Sequence, residues 1–424
     1  MAIIYYGIEM AFAKANIEKW INITGKPILF AVKDENVKKK FKNNFLGKYQ
    51  VISIDEALAI HPNAEIWITY SGSANAIKAG KRLLEKTHFS KIHFLEANLQ
   101  YRLGCSRLGR SFQYKNGRMS MCTVGNRQRP YVNVSGSISQ AIAQWQDFST
   151  KLIYANQFES PNRCLGCPLL KWGFWPKTVK CINLRFLQDL AKDACNFKCI
   201  YCSAAQANRW VKLKNADGPT TYDVIKQFSQ MPEYVEMGDK FTVTFANGEL
   251  CANIYFNEIM DILLKTEWKV ELLSNLSIYR EELAELLRTG RVKHVITSID
   301  AGTRETFKKI KRNDRFDIVV ENLQRYPFDK TTLKIKYLFL EGVNDNEQDV
   351  DGFYEIAKQA GGVIMLSTDN KTNKKPFTAN EHMRKLTLRI IDRAKADGVR
   401  VIADNNNINP EDVTFINENM SNKT

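Results

Sequence analysis

The sequence predicts an α/β protein with a small Rossmann-like domain over residues 1–95, a cysteine-rich segment over 96–180 and a partial (β/α)6 barrel over 181–400. Three observations lead to this prediction. Strand and helix patterns alternate at both ends of the chain, as they do in parallel sheets. The alternation stops in the middle, where Arg, Gly, Ser, aromatic residues and Cys accumulate. The chain has 424 residues, more than one compact domain usually holds.

The first 95 residues have the pattern of a small doubly wound sheet. Such sheets bind ligands beyond the carboxyl ends of their strands. Gly7 alone after the first strand is far short of a G-x-G-x-x-G fingerprint, so dinucleotide binding is not supported. The turn at 71–73 could hold a phosphate, but most such turns only connect elements. The ligand of this accessory domain stays open. Strands are predicted over 3–6, 27–32, 49–54, 65–70 and 91–95, with helices over 10–23 and 74–87.

The barrel pattern begins near residue 181 and contains six strand–helix units. In barrels of this kind, the chemistry lies at the carboxyl ends of the strands. Residues 401–424 are polar and are predicted as a C-terminal extension. The strands are predicted over 183–189, 241–245, 270–274, 294–300, 333–340 and 363–367, and the helices over 221–232, 253–265, 280–289, 303–326, 346–360 and 380–397.

Composition excludes several classes of protein. Hydrophobic residues make up 44% of the chain and charged residues 25%, which excludes wholesale disorder. No uncharged apolar stretch approaches the roughly 20 residues that cross a bilayer. The amino terminus has no basic flank and carries Glu9 within its apolar run, so we expect a cytoplasmic protein without a membrane partner.

The net charge of +15 leaves two interpretations open. A basic protein can bind an acidic partner such as a nucleotide or a sugar phosphate. The charge can equally reflect a lysine-rich, well-solvated surface, and we favour this second interpretation. The lysine runs at 38–42 and 308–312 have no interleaved aromatic residues for base stacking, so nucleic acid is not an expected partner.

Nine cysteines are too few for a disulfide scaffold, but eight of them lie between Cys105 and Cys202. Such clustering in a cytosolic chain indicates metal or redox chemistry. Cys195, Cys199 and Cys202 have the spacing C-x3-C-x2-C directly after the first barrel strand. Thiolates are soft ligands that suit iron–sulfur clusters, and three of them leave one iron of a cubane cluster open to an outside ligand.

This spacing resembles the radical SAM superfamily, whose motif is C-x3-C-x-aromatic-C with Tyr201 at the aromatic position. The resemblance implies a [4Fe–4S] cluster that binds the amino and carboxylate groups of S-adenosylmethionine. It also implies reductive cleavage of that molecule to a 5′-deoxyadenosyl radical, which takes hydrogen from a substrate. Tyr201 would then lie beside the adenine.

The resemblance extends to the ends of the next three barrel strands. In the family, a Gly-Gly-Glu motif after the second strand holds the methionine amino group, and here Asn247 replaces its first glycine. Polar side chains after the third and fourth strands hydrogen-bond the ribose and the methionine carboxylate. The cofactor-binding residues that the resemblance implies are Asn247, Gly248, Glu249, Ser274, Ser298 and Asp300, with Asn275 beside Ser274.

A second cysteine set precedes the barrel. Cys105, Gly117 and Cys122 have the spacing C-x11-G-x4-C, and Cys164-x2-Cys167 follows. This resembles the twitch or SPASM segments of radical SAM enzymes, and the resemblance implies that these four cysteines bind a second, auxiliary [4Fe–4S] cluster for electron transfer. Such segments usually follow the barrel, whereas this one precedes it. Alternatively, Cys105 and Cys122 are ordinary buried cysteines.

Two cysteines remain outside these sets. Cys181 could replace one auxiliary ligand. Cys251 follows the Gly-Glu pair at the mouth of the barrel, where a thiol could return a hydrogen atom to a substrate radical. A cysteine at such a place is more often a small buried hydrophobic residue.

The sequence therefore predicts a radical SAM enzyme of the oxidoreductase or of the isomerase and epimerase type. A sugar- or nucleotide-linked small molecule is slightly favoured as substrate, and a peptide, as in peptide-modifying relatives, is the alternative. A flavodoxin or ferredoxin is expected as the reducing partner. A non-catalytic zinc or redox-sensing module is the alternative from another class, because Cys164, Cys167, Cys199 and Cys202 could form a zinc site. That alternative leaves Cys195 unexplained.

Overall fold

The structure is a computed structural model. It describes residues 2–7, 10–33, 50–70, 72–105, 110–115, 117–120, 131–134, 136–157, 164, 167, 169–177, 181–186, 195–202, 218–246, 248–369, 376–405 and 408–421. Asn247 and Cys122, two of the predicted site residues, lie outside the described residues. No helix in the described part of the chain is long and apolar enough to span a membrane.

The described strands mostly lie where the alternation predicts them. In chain order they are β1 (Ile3–Tyr6), β2 (Leu29–Val32), β3 (Gln50–Ser53), β4 (Glu65–Ile68), β5 (Ile92–Phe94), β6 (Leu99–Gly104), β7 (Ser111–Lys115), β8 (Arg118–Ser120), β9 (Tyr131–Asn133), β10 (Lys171–Pro176), β11 (Asn183–Phe186), β12 (Thr242–Phe245), β13 (Lys269–Leu273), β14 (Val292–Ser298), β15 (Leu333–Phe339), β16 (Val363–Thr368) and β17 (Val401–Ala403).

The described helices follow the strands in the order expected of an α/β chain. They are α1 (Met10–Thr24), α2 (Ile54–Ile60), α3 (Ser73–Leu84), α4 (Ile138–Gln157), α5 (Thr221–Ser229), α6 (Pro232–Val235), α7 (Phe256–Lys265), α8 (Glu281–Arg288), α9 (Arg304–Lys311), α10 (Phe316–Arg325), α11 (Glu347–Ala360), α12 (Glu381–Asp397) and α13 (Pro410–Ser421). Short 3-10 turns occupy Phe89–Lys91, Gly238–Lys240, Leu250–Ala252 and Phe377–Ala379.

The chain divides into two compact units that each use two stretches of sequence. Unit 1 comprises Met1–Arg110 and Asp147–Lys180, and unit 2 comprises Ser111–Gln146 and Cys181–Thr424. Residues 96–180, predicted as a segment of their own, are thus shared between the two units.

Unit 1 contains a five-stranded parallel sheet in the order β3-β2-β1-β4-β5. Alternate residues of β1 face opposite sides, as the two-residue period of a strand requires. Tyr5 packs with Trp20 of α1 on one side. Ile4 and Tyr6 pack with apolar residues of α2 and α3, such as Ala76, on the other. The predicted Rossmann-like arrangement is therefore present, and an antiparallel β6–β10 pair accompanies it.

Unit 2 is built on a ten-stranded sheet in the order β17-β16-β15-β14-β13-β12-β11-β7-β8-β9. From β17 to β7 every neighbouring pair is parallel, and β8 and β9 continue antiparallel. The predicted α/β class with a partial barrel is confirmed. The six predicted barrel strands are β11 to β16.

Two barrel strands were not predicted. β7 comes from the cysteine-rich segment and pairs with β11. β17 and α13 occupy most of the stretch that was predicted as a polar extension. α13 begins at Pro410 with Glu411 and Asp412 in its first turn, which suits a helix N-terminus. Asp412 is fully buried and accepts hydrogen bonds from the backbone N–H groups of Phe377 and Thr378.

Candidate functional site

The loop Cys195–Cys202 follows β11 and is held against the end of α9. The backbone N–H of Lys198 donates to the carbonyl of Lys311 at 3.1 Å, and that of Ile200 donates to the carbonyl of Ile310 at 2.9 Å. Within the loop, the Cys202 N–H donates to the Cys199 carbonyl at 3.0 Å. These hydrogen bonds hold the loop in place through its backbone alone, without using the cysteine side chains.

The three thiols of this loop lie within electrostatic range of one another. Burial raises the pKa of the Cys195 thiol to about 12, and the neighbouring Cys199 and Cys202 raise it further. Burial also raises the pKa of Cys199, whereas the Lys311 ammonium group lowers it. A [4Fe–4S] cluster binds thiolates, so a buried positive charge beside them fits such a cluster. The amide of Asn275 adds a donor 3.7 Å from the Cys195 sulfur.

No set of three His, Cys, Asp or Glu side chains in the described ranges is arranged to share a single metal ion. The ligands of a cubane cluster bind different irons and therefore stand farther apart than the ligands of one ion.

Tyr201, Asp300 and Lys311 form a buried hydrogen-bonded group behind the cysteine loop. The Tyr201 hydroxyl donates to Asp300 Oδ2 at 2.7 Å, and Lys311 Nζ lies 2.8 Å from that hydroxyl and 2.5 Å from the same carboxylate oxygen. The Lys311 and Asp300 side chains are 2% and 0% exposed. The Leu338 N–H donates to the other oxygen, Asp300 Oδ1. Both oxygens of this predicted cofactor-binding residue are thus used within the protein.

Glu249, which follows β12, is also buried, and its carboxylate is also hydrogen-bonded within the protein. Its Oε1 accepts hydrogen bonds from Ser274 Oγ at 2.9 Å and from the Cys251 N–H at 3.1 Å. Its Oε2 accepts one from the Asn275 N–H at 2.6 Å. Burial raises the pKa of this carboxyl, and these donors oppose that rise. Gly248 precedes it with φ of +80°, a conformation that favours glycine.

A set of amides links Glu249 to the cysteine loop. Asn275 Nδ2 donates to Asn196 Oδ1 at 2.7 Å, and Asn196 Nδ2 donates to Ser277 Oγ at 2.7 Å. Asn275 Oδ1 accepts from both the N–H and the hydroxyl of Ser277. The ends of β11, β12 and β13 are therefore joined by one network in which the predicted Ser274 and Glu249 take part.

Sequence reasoning missed Lys311, Asn196 and Ser277. Lys311 was grouped with the solvated lysine run 308–312, yet it is 1% exposed. Its position four residues after the buried Phe307 was the available signal, because such residues share a helix face. Asn196 and Ser277 gave no comparable signal.

The remaining predicted residues of unit 2 differ in exposure. Ser298, the last residue of β14, is partly exposed. Cys251 is fully buried, and its carbonyl accepts hydrogen bonds from the Arg280 guanidinium. Burial raises the pKa of the Cys251 thiol well above its ordinary value. The role of Cys251 as a hydrogen donor stays a prediction.

The described auxiliary cysteines lie in unit 1. Cys105 follows β6, whose last residue Gly104 pairs with Lys171, the first residue of β10. Cys164 and Cys167 precede β10 and form a turn in which the Cys167 N–H donates to the Cys164 carbonyl at 2.9 Å. The register therefore places Cys105 and the approach to β10 at the same end of this strand pair. Cys199 and Cys202, the other half of the zinc alternative, belong to unit 2.

Cys181, which was considered as a replacement auxiliary ligand, lies in unit 2. It is 4% exposed, and its thiol donates to the Asn183 carbonyl at 3.2 Å.

Comparison with known proteins identifies one family over this region. Residues 192–354 match the model of the Radical SAM superfamily. Similar curated proteins include the GTP 3′,8-cyclases of Clostridium botulinum (23% identical, 42% of this chain and 54% of the relative), Aliarcobacter butzleri (26%, 42% and 53%) and Chlorobaculum tepidum (28%, 41% and 50%). The chain spans about half the length of these relatives.

Two solved structures illustrate similarity at low sequence identity. The chain is similar to Streptococcus suis SuiB bound to S-adenosylmethionine (9% identical, 72% of each chain, TM-score 0.39). It is also similar to anSMEcpe with bound AdoMet and the Cp18Cys peptide (18% identical, 52% of this chain and 63% of the other, TM-score 0.36).

Proposed function

We propose that this chain, whose residues 192–354 belong to the Radical SAM superfamily, cleaves S-adenosylmethionine reductively and removes hydrogen from a nucleotide- or sugar-linked small molecule. The observation that carries the proposal is the loop after β11, which brings Cys195, Cys199 and Cys202 within electrostatic range beside a buried ammonium group. These three thiolates would hold a [4Fe–4S] cluster, which in its reduced form would supply the one electron for cleavage of S-adenosylmethionine into methionine and a 5′-deoxyadenosyl radical, and that radical would take a hydrogen atom from the substrate.

The residues around this loop have distinct proposed roles. Tyr201 borders the adenine and is held by Asp300 and Lys311. Gly248 and Glu249 are the proposed residues at the methionine end, and Glu249 holds this edge together through its hydrogen bonds with Ser274 and Asn275. Ser298 remains the candidate for a direct contact with the ribose, since its side chain is partly exposed at the end of β14.

The substrate class is supported by the curated relatives. Their name assigns them GTP, a nucleotide, and they match 41–42% of this chain. The net charge of +15 agrees with an acidic substrate. A flavodoxin or ferredoxin is the proposed source of electrons. The fate of the substrate radical decides between an oxidoreductase and an isomerase, and deuterium returned from solvent into product would identify the isomerase.

The second [4Fe–4S] cluster is proposed on Cys105, Cys164 and Cys167 with Cys122 as the fourth ligand. The support is the convergence of Cys105 and the Cys164–Cys167 turn toward one end of the β6–β10 pair. Four thiolates would leave this cluster no open iron, so its proposed role is electron transfer.

Iron content and 5′-deoxyadenosine formation test both parts of the proposal. Anaerobically reconstituted protein should form 5′-deoxyadenosine from S-adenosylmethionine and dithionite, and replacing Cys195, Cys199 and Cys202 together by Ala should abolish it. We expect about eight irons per parent chain and about four in this variant. The matched control is Cys181→Ala, which removes a buried thiol outside the two proposed ligand sets and should retain about eight irons and the activity.

The iron content and the product formation of the triple variant test the two clusters independently. Product formation by the triple variant would overturn the radical SAM assignment of these cysteines. About four irons in the parent and none in the variant would retain that assignment and remove the auxiliary cluster.

A further inference from the structure

Lys311 joins α9 to the cysteine loop through both its main chain and its side chain. Its carbonyl accepts a hydrogen bond from the Lys198 N–H at 3.1 Å, and its Nζ lies 2.8 Å from the Tyr201 hydroxyl. The last carbonyls of a helix lack partners within that helix, which makes the carbonyl of Lys311, the last residue of α9, available to the loop. The ammonium group is therefore held beside the loop that carries the three cysteines.

The charge of Lys311 lies in the interior of the protein. The side chain is 2% exposed, and its Nζ lies 2.5 Å from Asp300 Oδ2. A buried charge costs free energy unless it is paired, and the Asp300 carboxylate provides the pair. Replacing a buried ion pair by apolar side chains of similar volume is often neutral or stabilising, so stability alone does not account for this pair. An effect on the neighbouring thiols is the alternative explanation.

The partners of Lys311 are themselves anchored. The other carboxylate oxygen, Asp300 Oδ1, accepts a hydrogen bond from the Leu338 N–H of β15 at 2.8 Å. The Tyr201 ring also contacts the ammonium group, with 5.1 Å between Nζ and the ring centroid. Because both partners belong to fixed elements, the ammonium group keeps a constant distance from the cysteine loop, as an electrostatic effect on that loop requires.

The surroundings of this group are apolar, which strengthens its electrostatic effect. Ile200 and Tyr201 of the loop pack against three buried apolar residues, Ile310, Leu338 and Leu340. Apolar side chains exclude water, and charges in such a region interact more strongly than charges at the surface. The ammonium charge therefore acts on the loop with little screening.

Lys311 and Asp300 act on the Cys199 thiol in opposite directions. Burial raises the pKa of Cys199; the Lys311 ammonium group lowers it, and the Asp300 carboxylate raises it by a smaller amount than Lys311 lowers it. A hydrogen bond with the Tyr201 hydroxyl lowers this pKa as well. The net effect of the ion pair at Cys199 is therefore that of a positive charge, which favours additional negative charge on the sulfur.

We propose that Lys311 raises the reduction potential of the [4Fe–4S] cluster held by Cys195, Cys199 and Cys202. The inference rests on the proposed function, because it requires that cluster. Reduction by one electron adds negative charge to a cluster that thiolates already bind, so a fixed positive charge stabilises the reduced form relative to the oxidised form. The charge of Lys311 thus makes it easier for a flavodoxin or ferredoxin to deliver the electron.

A redox titration of the reconstituted chain, followed by electron paramagnetic resonance, measures this potential. The signal that is absent when Cys195, Cys199 and Cys202 are all replaced by Ala belongs to this cluster. Lys311→Met should shift its midpoint to a more negative potential and make reduction at least about tenfold less favourable, which corresponds to about 59 mV for one electron. Lys311→Gln, which keeps a hydrogen-bonding side chain without the charge, should shift the midpoint in the same direction.

Two further variants separate the charge of Lys311 from other effects. Lys311→Arg keeps a permanent positive charge and should leave the midpoint closer to that of the parent than Lys311→Met does. Lys309→Met is the matched control, because it removes an exposed lysine from the same helix, where solvent screens the charge. Its midpoint should equal that of the parent.

Each remaining outcome contradicts the proposal. Equal midpoints in the parent and Lys311→Met, or an equal shift in Lys309→Met, would overturn it. A shift in Lys311→Met that is absent from Lys311→Gln would assign the effect to a lost hydrogen bond instead of a lost charge. If Lys311→Met binds no cluster, equal midpoints in Lys311→Gln and Lys311→Arg would overturn the proposal. Absence from the parent of any signal that depends on the three cysteines would overturn the proposed function itself, so the two failures are distinguishable.

Discussion

At the scale of single residues, Glu249 is the most heavily hydrogen-bonded carboxylate of the candidate site. It is 2% exposed and accepts bonds from Ser274 and from the backbone N–H groups of Cys251 and Asn275. All of these groups are donors. The carboxylate therefore organises the ends of β12 and β13, and this role does not depend on a bound cofactor.

Glu249→Gln should destabilise the protein by about 2–3 kcal/mol, because the amide NH2 would face N–H and O–H donors in a buried site. Urea unfolding followed by circular dichroism measures the loss. Glu258→Gln makes the same change on the exposed face of α7 and should alter stability by less than about 0.5 kcal/mol. Equal stability of Glu249→Gln and the parent would show that the carboxylate charge has no structural role here.

The sequence predicted the residues of a site only where they lie close together along the chain. Cys195, Cys199 and Cys202 lie within eight residues of one another, so their spacing alone suggested a shared cluster. The contacts of Tyr201 with Asp300 and Lys311 join residues separated by 99 and 110 positions. No periodicity in the sequence encodes such a pairing, and Lys311 was accordingly assigned to a solvated face.

At the scale of elements, α11 is packed against the loop after β14 through two glycines. A Cβ atom on Gly352 would lie 2.3 Å from the Gly302 carbonyl oxygen, and one on Gly302 would lie 2.1 Å from the Asp349 carbonyl oxygen. Asp349 strengthens this contact by accepting hydrogen bonds from the N–H groups of Gly302 and Thr303. The loop that carries Asp300 is thereby fixed to a helix.

Gly352→Ala should destabilise the protein by about 1–3 kcal/mol, because backbone atoms must move to admit the methyl group. Gly72→Ala is the matched control: its added Cβ meets nothing within 4 Å, so stability should change by less than about 0.5 kcal/mol. Thermal unfolding of both variants measures the difference. A Gly352→Ala variant as stable as Gly72→Ala would contradict the close approach of α11.

Strands were predicted where the sequence shows a clear alternation of strand and helix patterns. β11 to β16 are bounded by helical patterns and were predicted. β7 lies in a segment without alternation, and it becomes a barrel strand only through its parallel pairing with β11. β17 has three residues and precedes an Asn-rich stretch, so its strand character also comes from its neighbour, β16. Long-range pairing, absent from any local window, decided both cases.

At the scale of the whole molecule, the partly buried charge of Lys334 lowers the stability of the fold. The net charge of +15 was interpreted mainly as a solvated surface, and the sequence did not show that Lys334 lies on the side of β15 opposite Tyr337, which packs on Phe353 of α11. That placement follows from strand register, since a shift of one residue would turn Lys334 toward the helices.

Lys334→Met should therefore raise the stability of the fold. Burial holds the pKa of Lys334 below its ordinary value, so the fold disfavours the charged form. The destabilisation is fully present at neutral pH, where Lys334 is charged in both folded and unfolded chains. It fades as pH rises through the folded pKa towards the unfolded value of about 10.4. The urea midpoint of the variant should exceed that of the parent at pH 7, and the difference should shrink above pH 10.

Lys330→Met is the matched control, because it removes an exposed lysine just before β15 and should leave the urea midpoint within about 0.5 kcal/mol of the parent. A Lys334→Met variant that is less stable than the parent at pH 7 would show that the Lys334 ammonium group supports the fold, which would contradict the prediction.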